Sequence, residues 1–492
     1  MIGDWTNPYL PRITRTTHAL LAEAASLWPS LDAVRENGKT LTYAQLNENT
    51  LAIGDRLRAK GIGQGDVLAL DLPVGVDLLQ AFLGVTRLGA AALPLHTLLS
   101  PADVKALLDA SNPRACLGSH HHATGLEVWS PTDLASTGNS SRDCAVPRED
   151  DPALLRTTSG STGYPKLIKL SHLQICRRIA HPGSHYRRGE VYGCPSRYAF
   201  PAYQLLSALC VGATVVFRHA VTAMQVEKFI AEEDLTCFWG IPSLYTQIAR
   251  LGGSYAGGLG RLRAAVTSGA VLAQELRMAV EQRWGVPVYQ MYGQSETGYL
   301  TEADQATPAN SVGLPAPGVE LRIAGGEGNI LPRGETGVIQ ARTEAPFNGY
   351  LTGEASPLTD DGWFITGDLG YMDAQGFLYL QGRADDMIQV GGFKVSAAEI
   401  SAVLQGMPGL REVYIFALPH DLRGEAVAAA VVAEDGIRPI DVRRYARRFL
   451  PRRKQPVEVY IVNELPKSPL GKVQKKRLLE DLSRDSPPTS PL

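Results

Sequence analysis

The apolar positions of this chain follow two alternating periods. Residues 17 to 63 read as helix, strand, helix. Thr42-Tyr43-Ala44-Gln45-Leu46 opens an amphipathic helix that runs to about Lys60, and Gly61-Ile62-Gly63 stops it. Asp66 to Leu72 is then a short apolar run with the length of a buried strand. Asp77 to Leu88 returns to the helical period, Ala90 to Leu95 is strand-like, and Pro101 to Ala110 is helical again. Strands alternating with helices over short connections predict a mostly parallel, helix-covered sheet. Further on, Ala153-Leu154-Leu155 and Leu167 to Leu170 read as two strands around a polar stretch. Cys237 to Pro242, Leu262 to Ser268 and Val288 to Met291 read as three more, each ending in Gly, Ser, Pro or an aromatic residue. Ligands of open α/β sheets gather at the carboxyl ends of such strands.

The period changes after residue 311. Short strands alternate with glycine turns as far as 382, which predicts a β-rich subdomain of about 311–382. From 385 a hairpin-like segment, a helix to about Gln405, strands at 412–418 and 426–433, a helix at 440–450 and a strand at 457–462 form a separate small α+β unit. The expected fold is therefore α/β: a large N-terminal domain over 1–383 and a small C-terminal domain over 384–482. The tail 483–492, SRDSPPTSPL, has the composition of a disordered segment.

Composition narrows the partners rather than the fold. A chain of 492 residues exceeds one hydrophobic core, and 44% apolar with 20% charged residues is ordinary for a soluble protein. A net charge of −2 gives no argument for nucleic acid as a bulk partner. The 6 cysteines show no C-x-x-C spacing, which fits a reducing cytoplasm better than a disulfide framework or a zinc site. No secretory pattern opens the chain and no stretch of about 18 apolar residues offers a membrane span, so a cytoplasmic location is expected. His120-His121-His122 lacks nearby acids or cysteines at ligand spacing and reads as loop.

Candidate chemistry concentrates between Thr158 and Lys166, in the sequence TSGSTGYPK. Thr158, Ser159, Ser161 and Thr162 supply hydroxyls, Gly160 and Gly163 let the backbone approach a ligand closely, and Lys166 brings a mobile charge. That set suits phosphate oxygens. It is not a Walker A loop, because Pro165 precedes the lysine and Leu167 follows it. Taken alone, the stretch reads first as a solvent loop between strands, with phosphate binding as the alternative.

Four later motifs decide between those readings. TSGSTGYPK at 158–166, YGQSETG at 292–298, TGD at 366–368, GRADDMIQVGGFKVS at 382–396 and PKSPLGKVQKKRL at 466–478 occur in the order found in the adenylate-forming superfamily. The chain resembles the acyl- and aryl-CoA ligases, stand-alone aryl-acid adenylating enzymes and nonribosomal adenylation domains of that superfamily. The resemblance spans nearly the whole chain. It implies a two-step reaction. A carboxylate first attacks the α-phosphorus of ATP, giving an acyl-adenylate and pyrophosphate. The acyl group then passes to the thiol of CoA or of a carrier protein's phosphopantetheine.

The resemblance also implies roles for matching residues. Residues 158–163 with Lys166 would clamp the β- and γ-phosphates. Glu296 would hold Mg2+, since a carboxylate among phosphates repels them unless a cation intervenes. Ser295, where relatives usually have Thr, would bond the α-phosphate. Tyr292, beside Gly293, would stack on adenine next to Ser268, Gly269 and Ala270. Asp368 and Arg383 would hold the ribose. Lys472 would bridge the carboxylate and the α-phosphate in the transition state. Asp385 would be the hinge about which the C-terminal domain turns, and Gly391 and Gly392 would line the thiol tunnel.

The acid is less constrained. No Asp or Glu occurs between Pro195 and Cys210, where amino-acid-activating relatives keep the partner of the substrate ammonium, so an α-amino acid is disfavoured. Ala199, Phe200, Tyr203, Trp239, Gly240, Gly269 and Met291 would form a flat apolar pocket suited to an aryl or arylacrylic acid. Capture of the activated group by a non-thiol nucleophile, an amine or nitrite, is the alternative. A carrier protein, if used, would act in trans. The basic stretch Arg443 to Lys454 would face a CoA phosphate or an acidic carrier.

Overall fold

A computed structural model describes residues 16–485 except 97–98, 100, 119–124, 131–146, 159–165, 181–185, 196–199, 221, 256, 271, 327, 346, 354, 385, 391–392, 421–423 and 468–472. The chain forms two compact units. The first takes residues 1–160, 164–320 and 342–357; the second takes 321–341 and 358–492 together with 161–163. Most of the β-rich stretch expected over 311–382 thus groups with the C-terminal part of the chain.

The first unit holds two sheets. One has six strands in the order Val128–Trp129, Ala115–Gly118, Val67–Asp71, Ala91–Pro94, Pro152–Thr158 and Lys166–Ser171. All pairs are parallel except the last, which is antiparallel and carries the two strands expected around the polar stretch. The helix predicted from Thr42 spans Tyr43–Ala59, and Thr42 and Gln45 close a reciprocal capping box at its start. Its buried positions Tyr43, Leu46, Thr50, Gly54 and Leu57 recur at helical spacing and pack on helix Val76–Thr86. A Cβ at Gly84 would lie 2.6 Å from the Ile53 side chain, so the approach of these two helices requires glycine there.

The second sheet has seven strands in the order Val288–Gln290, Ala264–Thr267, Cys237–Gly240, Val191–Pro195, Thr214–Arg218, Asp32–Glu36 and Lys39–Thr42, parallel except for the final hairpin. Side chains alternate across it. Val216, Phe238, Ala265 and Val288 point into a large core that also holds Phe229, Tyr245 and Trp284. Tyr192 pairs with Val215 on one side and Cys237 on the other, so these three and Trp239 share the opposite face. The carboxyl ends finish in register, Gly240 opposite Thr267 and Thr267 opposite Gln290.

The second unit contains a four-stranded sheet of Val319–Ala324, Gly337–Thr343, Phe364–Met372 and Leu378–Arg383. It also contains a five-stranded sheet in which Leu410–His420 and Gly424–Ala433 form the long central hairpin. Helices Ala397–Gln405 and Pro439–Phe449 cover that sheet through Ile400, Leu404, Val442 and Ala446, all fully buried. The elements predicted from 397 to 461 all form, each within two or three residues of its expected ends.

Candidate active site

The expected phosphate-clamp residues Ser159 to Gly163 lie outside the described residues; Thr158 and Lys166 lie within them. They close the antiparallel pair of the first sheet, with Thr158 opposite Lys166, and Thr158 is buried. Lys166 Nζ stands 4.6 Å from the centroid of the Tyr350 ring, over its face. Tyr350 is placed there by backbone pairing. It bridges Ile168, and the Leu351 N–H donates to the Leu167 carbonyl at 2.8 Å. The Tyr350 hydroxyl donates to Glu296 Oε1 at 3.1 Å. A cation, an aromatic ring and a carboxylate are thus joined in one line.

Glu296 sits in the three-residue turn between Gly293-Gln294 and Gly298-Tyr299, a two-stranded antiparallel hairpin. Gly293 is irreplaceable here, since a Cβ would stand 2.2 Å from the Gly298 carbonyl oxygen. The turn is held from outside by Arg178, at the end of helix His172–Ile179. Its guanidinium donates to the carbonyls of Ser295, at 2.8 Å, and Glu296, and to the Tyr203 hydroxyl at 2.7 Å. The Glu296 side chain is 8% exposed, and no cationic side chain pairs with it among the described residues. A buried carboxylate whose partner is a neutral hydroxyl fits a site that receives a cation. Among the described residues no group of three or more His, Cys, Asp or Glu could hold a metal by itself.

At the carboxyl edge of the seven-stranded sheet, Ser268 follows strand Ala264–Thr267 and is buried, while Gly269 and Ala270 are exposed. Gly269 takes φ +94° with open space where a Cβ would be. Met291 and Tyr292 are buried just beyond strand Val288–Gln290. The Tyr292 carbonyl accepts from the Leu300 and Thr301 N–H groups, at 2.8 and 3.2 Å. Ser268 is hydrogen-bonded to Tyr299, whose hydroxyl in turn accepts from Gln204 Nε2 at 2.5 Å. Burial first of all pushes the Tyr299 hydroxyl up to about 12, so it stays protonated. This relay links the strand end expected to meet adenine with helix Ala202–Cys210.

That helix closes a small cavity against the sheet face of Tyr192, Val215 and Trp239. Tyr186 stacks on Tyr192 with centroids 4.8 Å apart and planes 15° apart, giving a flat aromatic wall. Of the side chains expected in the acid pocket, Trp239 lines this cavity. Phe200 packs edge-on to Phe82 at 5.3 Å, and Tyr203 lies beneath the guanidinium groups of Arg156 and Arg178. Gly240 sits where a Cβ would be 3.0 Å from the Phe238 and Tyr245 rings. Ala199 lies outside the described residues.

In the second unit Asp368 and Arg383 face each other across the antiparallel pair, with Arg383 Nη1 3.4 Å from Asp368 Oδ1. The Asp368 N–H donates to Thr366 Oγ1 at 3.1 Å, and Thr366 Oγ1 donates to the Ile339 carbonyl at 2.8 Å. The carboxylate is thereby set at a fixed height on its strand. Asp385, Gly391, Gly392 and Lys472 lie outside the described residues.

Sequence reasoning passed over Arg178, Tyr350, Gln204, Tyr186 and Tyr192 as site residues. One signal was available: Gln204 is the one amide in the otherwise apolar or small helix AYQLLSALC. Strand Val191–Pro195 was not read at all, because its glycine and proline conceal five buried residues.

Two helix-covered sheets, with Thr158 and Lys166 closing the edge of one and a cavity against the face of the other, fit an AMP-forming acid–CoA ligase. The chain belongs to the family of AMP-binding enzymes, whose pattern matches residues 21–351; the C-terminal domain of the same enzymes matches 399–472. It is 29% identical to sulfoacetate–CoA ligase of Cupriavidus necator, over 95% of this chain and 98% of that protein. It is 30% identical to indoleacetate–CoA ligase of Aromatoleum aromaticum, over 94% and 97%. Among solved structures, ATP-bound MatB from Rhodopseudomonas palustris superposes with a TM-score of 0.83 at 26% identity, covering 96% of this chain and 99% of that one.

Proposed function

We propose that this enzyme activates an aryl or arylacrylic acid with ATP and Mg2+ and transfers the acyl group to CoA. The observation that carries the reading is the relay Ser268–Tyr299–Gln204, which runs from the nucleotide end of the sheet to an aromatic-walled cavity. The stacked rings of Tyr186 and Tyr192 with Trp239 give the cavity flat aromatic walls, which suit a planar acid better than a long flexible acyl chain. The indoleacetate ligase among its relatives acts on an aromatic acid, which supports the same class.

Both reactants of the first step are anions, so catalysis is mainly positioning and charge screening. Lys166 would hold the outer phosphates, and its cation–π contact with Tyr350 aims the ammonium. Glu296, oriented by the Tyr350 hydroxyl, would take Mg2+ together with phosphate oxygens and water. Bound there, the metal would neutralise phosphate charge. Lys472 would contribute the remaining positive charge at the α-phosphate. The carboxylate oxygen bonds to the α-phosphorus as pyrophosphate leaves. The thiolate of CoA then attacks the acyl carbon and AMP leaves. Asp368 and Arg383 would grip the ribose hydroxyls. Turning about Asp385 would exchange Lys472 for the Gly391-Gly392 tunnel between the two steps.

Pyrophosphate release across benzoates, cinnamates, amino acids and short aliphatic acids, with and without CoA, tests the reading. Release that depends on an aromatic acid and is stimulated by CoA is expected. Aromatic-acid-dependent release that answers only to an amine or nitrite would replace the thiol step, and release with aliphatic acids alone would remove the aryl assignment.

A further inference from the structure

Glu296 is held twice from one stretch of chain. Strand Lys166–Ser171 bridges to Tyr350, whose hydroxyl donates to the Glu296 side chain. The helix that follows that strand, His172–Ile179, carries Arg178, which holds the Glu296 backbone. The Arg178 side chain is half-buried, and no carboxylate pairs with it among the described residues. Bringing a guanidinium out of water without an anionic partner is unfavourable unless its N–H groups find acceptors. Here they do. Nη1 donates to the Ser295 carbonyl at 2.8 Å and to the Tyr203 hydroxyl at 2.7 Å, and Nη2 donates to the Glu296 carbonyl.

The arm of the side chain lies against the hairpin itself. A Cβ on Gly298, whose φ is +78°, would stand 3.1 Å from Arg178 Cγ and Cδ, so glycine is what lets the arm pass. A lysine would supply the same charge but could not span two successive carbonyls and a hydroxyl. Its ammonium is a single point of donors, whereas the guanidinium is a planar fork.

Tyr203, the third acceptor, belongs to helix Ala202–Cys210. The guanidinium of Arg156 stands 5.0 Å from its ring centroid and that of Arg178 5.6 Å, so two cations hold the ring. The next residue, Gln204, donates to the Tyr299 hydroxyl at the end of the same hairpin. The hairpin is therefore tied to this helix at its turn, through Arg178, and at its end, through Gln204. The backbone of Ser295 and Glu296 is referred to the helix that closes the acid cavity.

We propose that Arg178 is a positioning residue of the adenylation step. It fixes the Ser295–Glu296 backbone where the Glu296 carboxylate can take Mg2+ with ATP, and it ties that placement to the helix on the acid side. The proposal rests on Glu296 as the magnesium-holding residue and adds a residue that acts through it.

Calorimetric titration of ATP into the intact chain at a series of Mg2+ concentrations tests this without an acid substrate. In the unaltered protein Mg2+ strengthens ATP binding. Arg178→Met keeps the arm and removes the fork. It should raise the Mg2+ concentration that gives half of that gain by about tenfold, the equivalent of one charge-assisted hydrogen bond. Arg178→Lys should recover less than half of the shift, and full recovery would overturn the role of the fork. Tyr203→Phe, which deletes one acceptor and keeps the ring, should move the same concentration by about threefold. Denaturant midpoints read in parallel separate loss of fold from loss of position; where Arg178→Met gives no cooperative transition, Tyr203→Phe carries the test. A Mg2+ dependence unchanged in these variants, or ATP affinity lowered equally with and without Mg2+, overturns the proposal, while a shift in Glu296→Gln keeps the metal reading. No shift in Glu296→Gln overturns the metal reading and the proposal with it.

Discussion

The two ends of the first unit's site are built by different rules. At the phosphate end, Lys166, Tyr350 and Glu296 are joined by a cation–π contact and one hydrogen bond, and Arg178 pins the Glu296 turn through its backbone carbonyls. The Glu296 carboxylate has the neutral Tyr350 hydroxyl as its partner, which leaves it fitted to a cation. At the acid end, Trp239 Nε1 and Gln204 Oε1 have no hydrogen-bond partner among the described residues. The phosphate end is built for charge, as ATP-dependent acid activation needs, whereas the acid end is built from aromatic walls and neutral polar groups. The difference separates the part of the site that handles charge from the part whose shape would choose the acid.

Substitutions at the two ends should therefore fail differently. The largest effect is expected at Lys472. Lys472→Ala should lower acid-dependent adenylation by on the order of 10²–10³-fold, while CoA transfer from supplied acyl-adenylate persists. Parallel measurement of pyrophosphate exchange and of thioester formation checks this, and equal loss of both contradicts the role. Next is Glu296→Gln, which should cost on the order of 100-fold for every acid alike and raise the Mg2+ concentration needed for half-maximal rate. A loss that depends on the acid would blur the distinction between the two ends.

Tyr350→Phe keeps the ring over Lys166 and removes the bond to Glu296. One neutral-to-charged hydrogen bond predicts a loss of roughly tenfold, again uniform across acids, in steady-state rates. The smallest effect concerns stability alone. His172 is fully buried, with Nδ1 accepting from the Thr17 N–H at 3.1 Å, and burial lowers its pKa from 6.5 to about 4. The neutral form is the folded form. Its contribution is complete above pH 6.5 and is lost as pH falls from there through about 4. At pH 5 the deficit is on the order of 2 kcal/mol. His172→Asn retains an acceptor without titrating, so its denaturant midpoint should vary less between pH 7 and pH 5 than that of the unaltered protein.

What could be read from the sequence follows the same division. Helix Tyr43–Ala59 was legible because Thr42, Gln45 and the periodic apolar positions act within one element, and the alternation from Thr17 to Ser111 was legible for the same reason. The phosphate motifs were legible because their hydroxyls, glycines and lysine are neighbours in the chain. The cavity was not, since its walls come from residues 186, 192, 204, 215 and 239, which only the parallel register of three strands brings together. Phe200 was expected in the pocket because it is aromatic and near the right helix, but hydrophobicity alone does not distinguish a wall from a core, and it packs against Phe82. Arg178 and Tyr350 act on Glu296 across more than fifty residues of chain, a relation that no local pattern carries.

The central claim, that this enzyme adenylates an aromatic acid and hands it to CoA, is tested most directly by mass analysis of the products formed from ATP, CoA and 4-hydroxybenzoate or 4-hydroxycinnamate. An aryl-adenylate without CoA, replaced by the aryl-CoA thioester and AMP when CoA is added, is the predicted result. Absence of both products with every aromatic acid, while an aliphatic acid yields its thioester, would contradict the account.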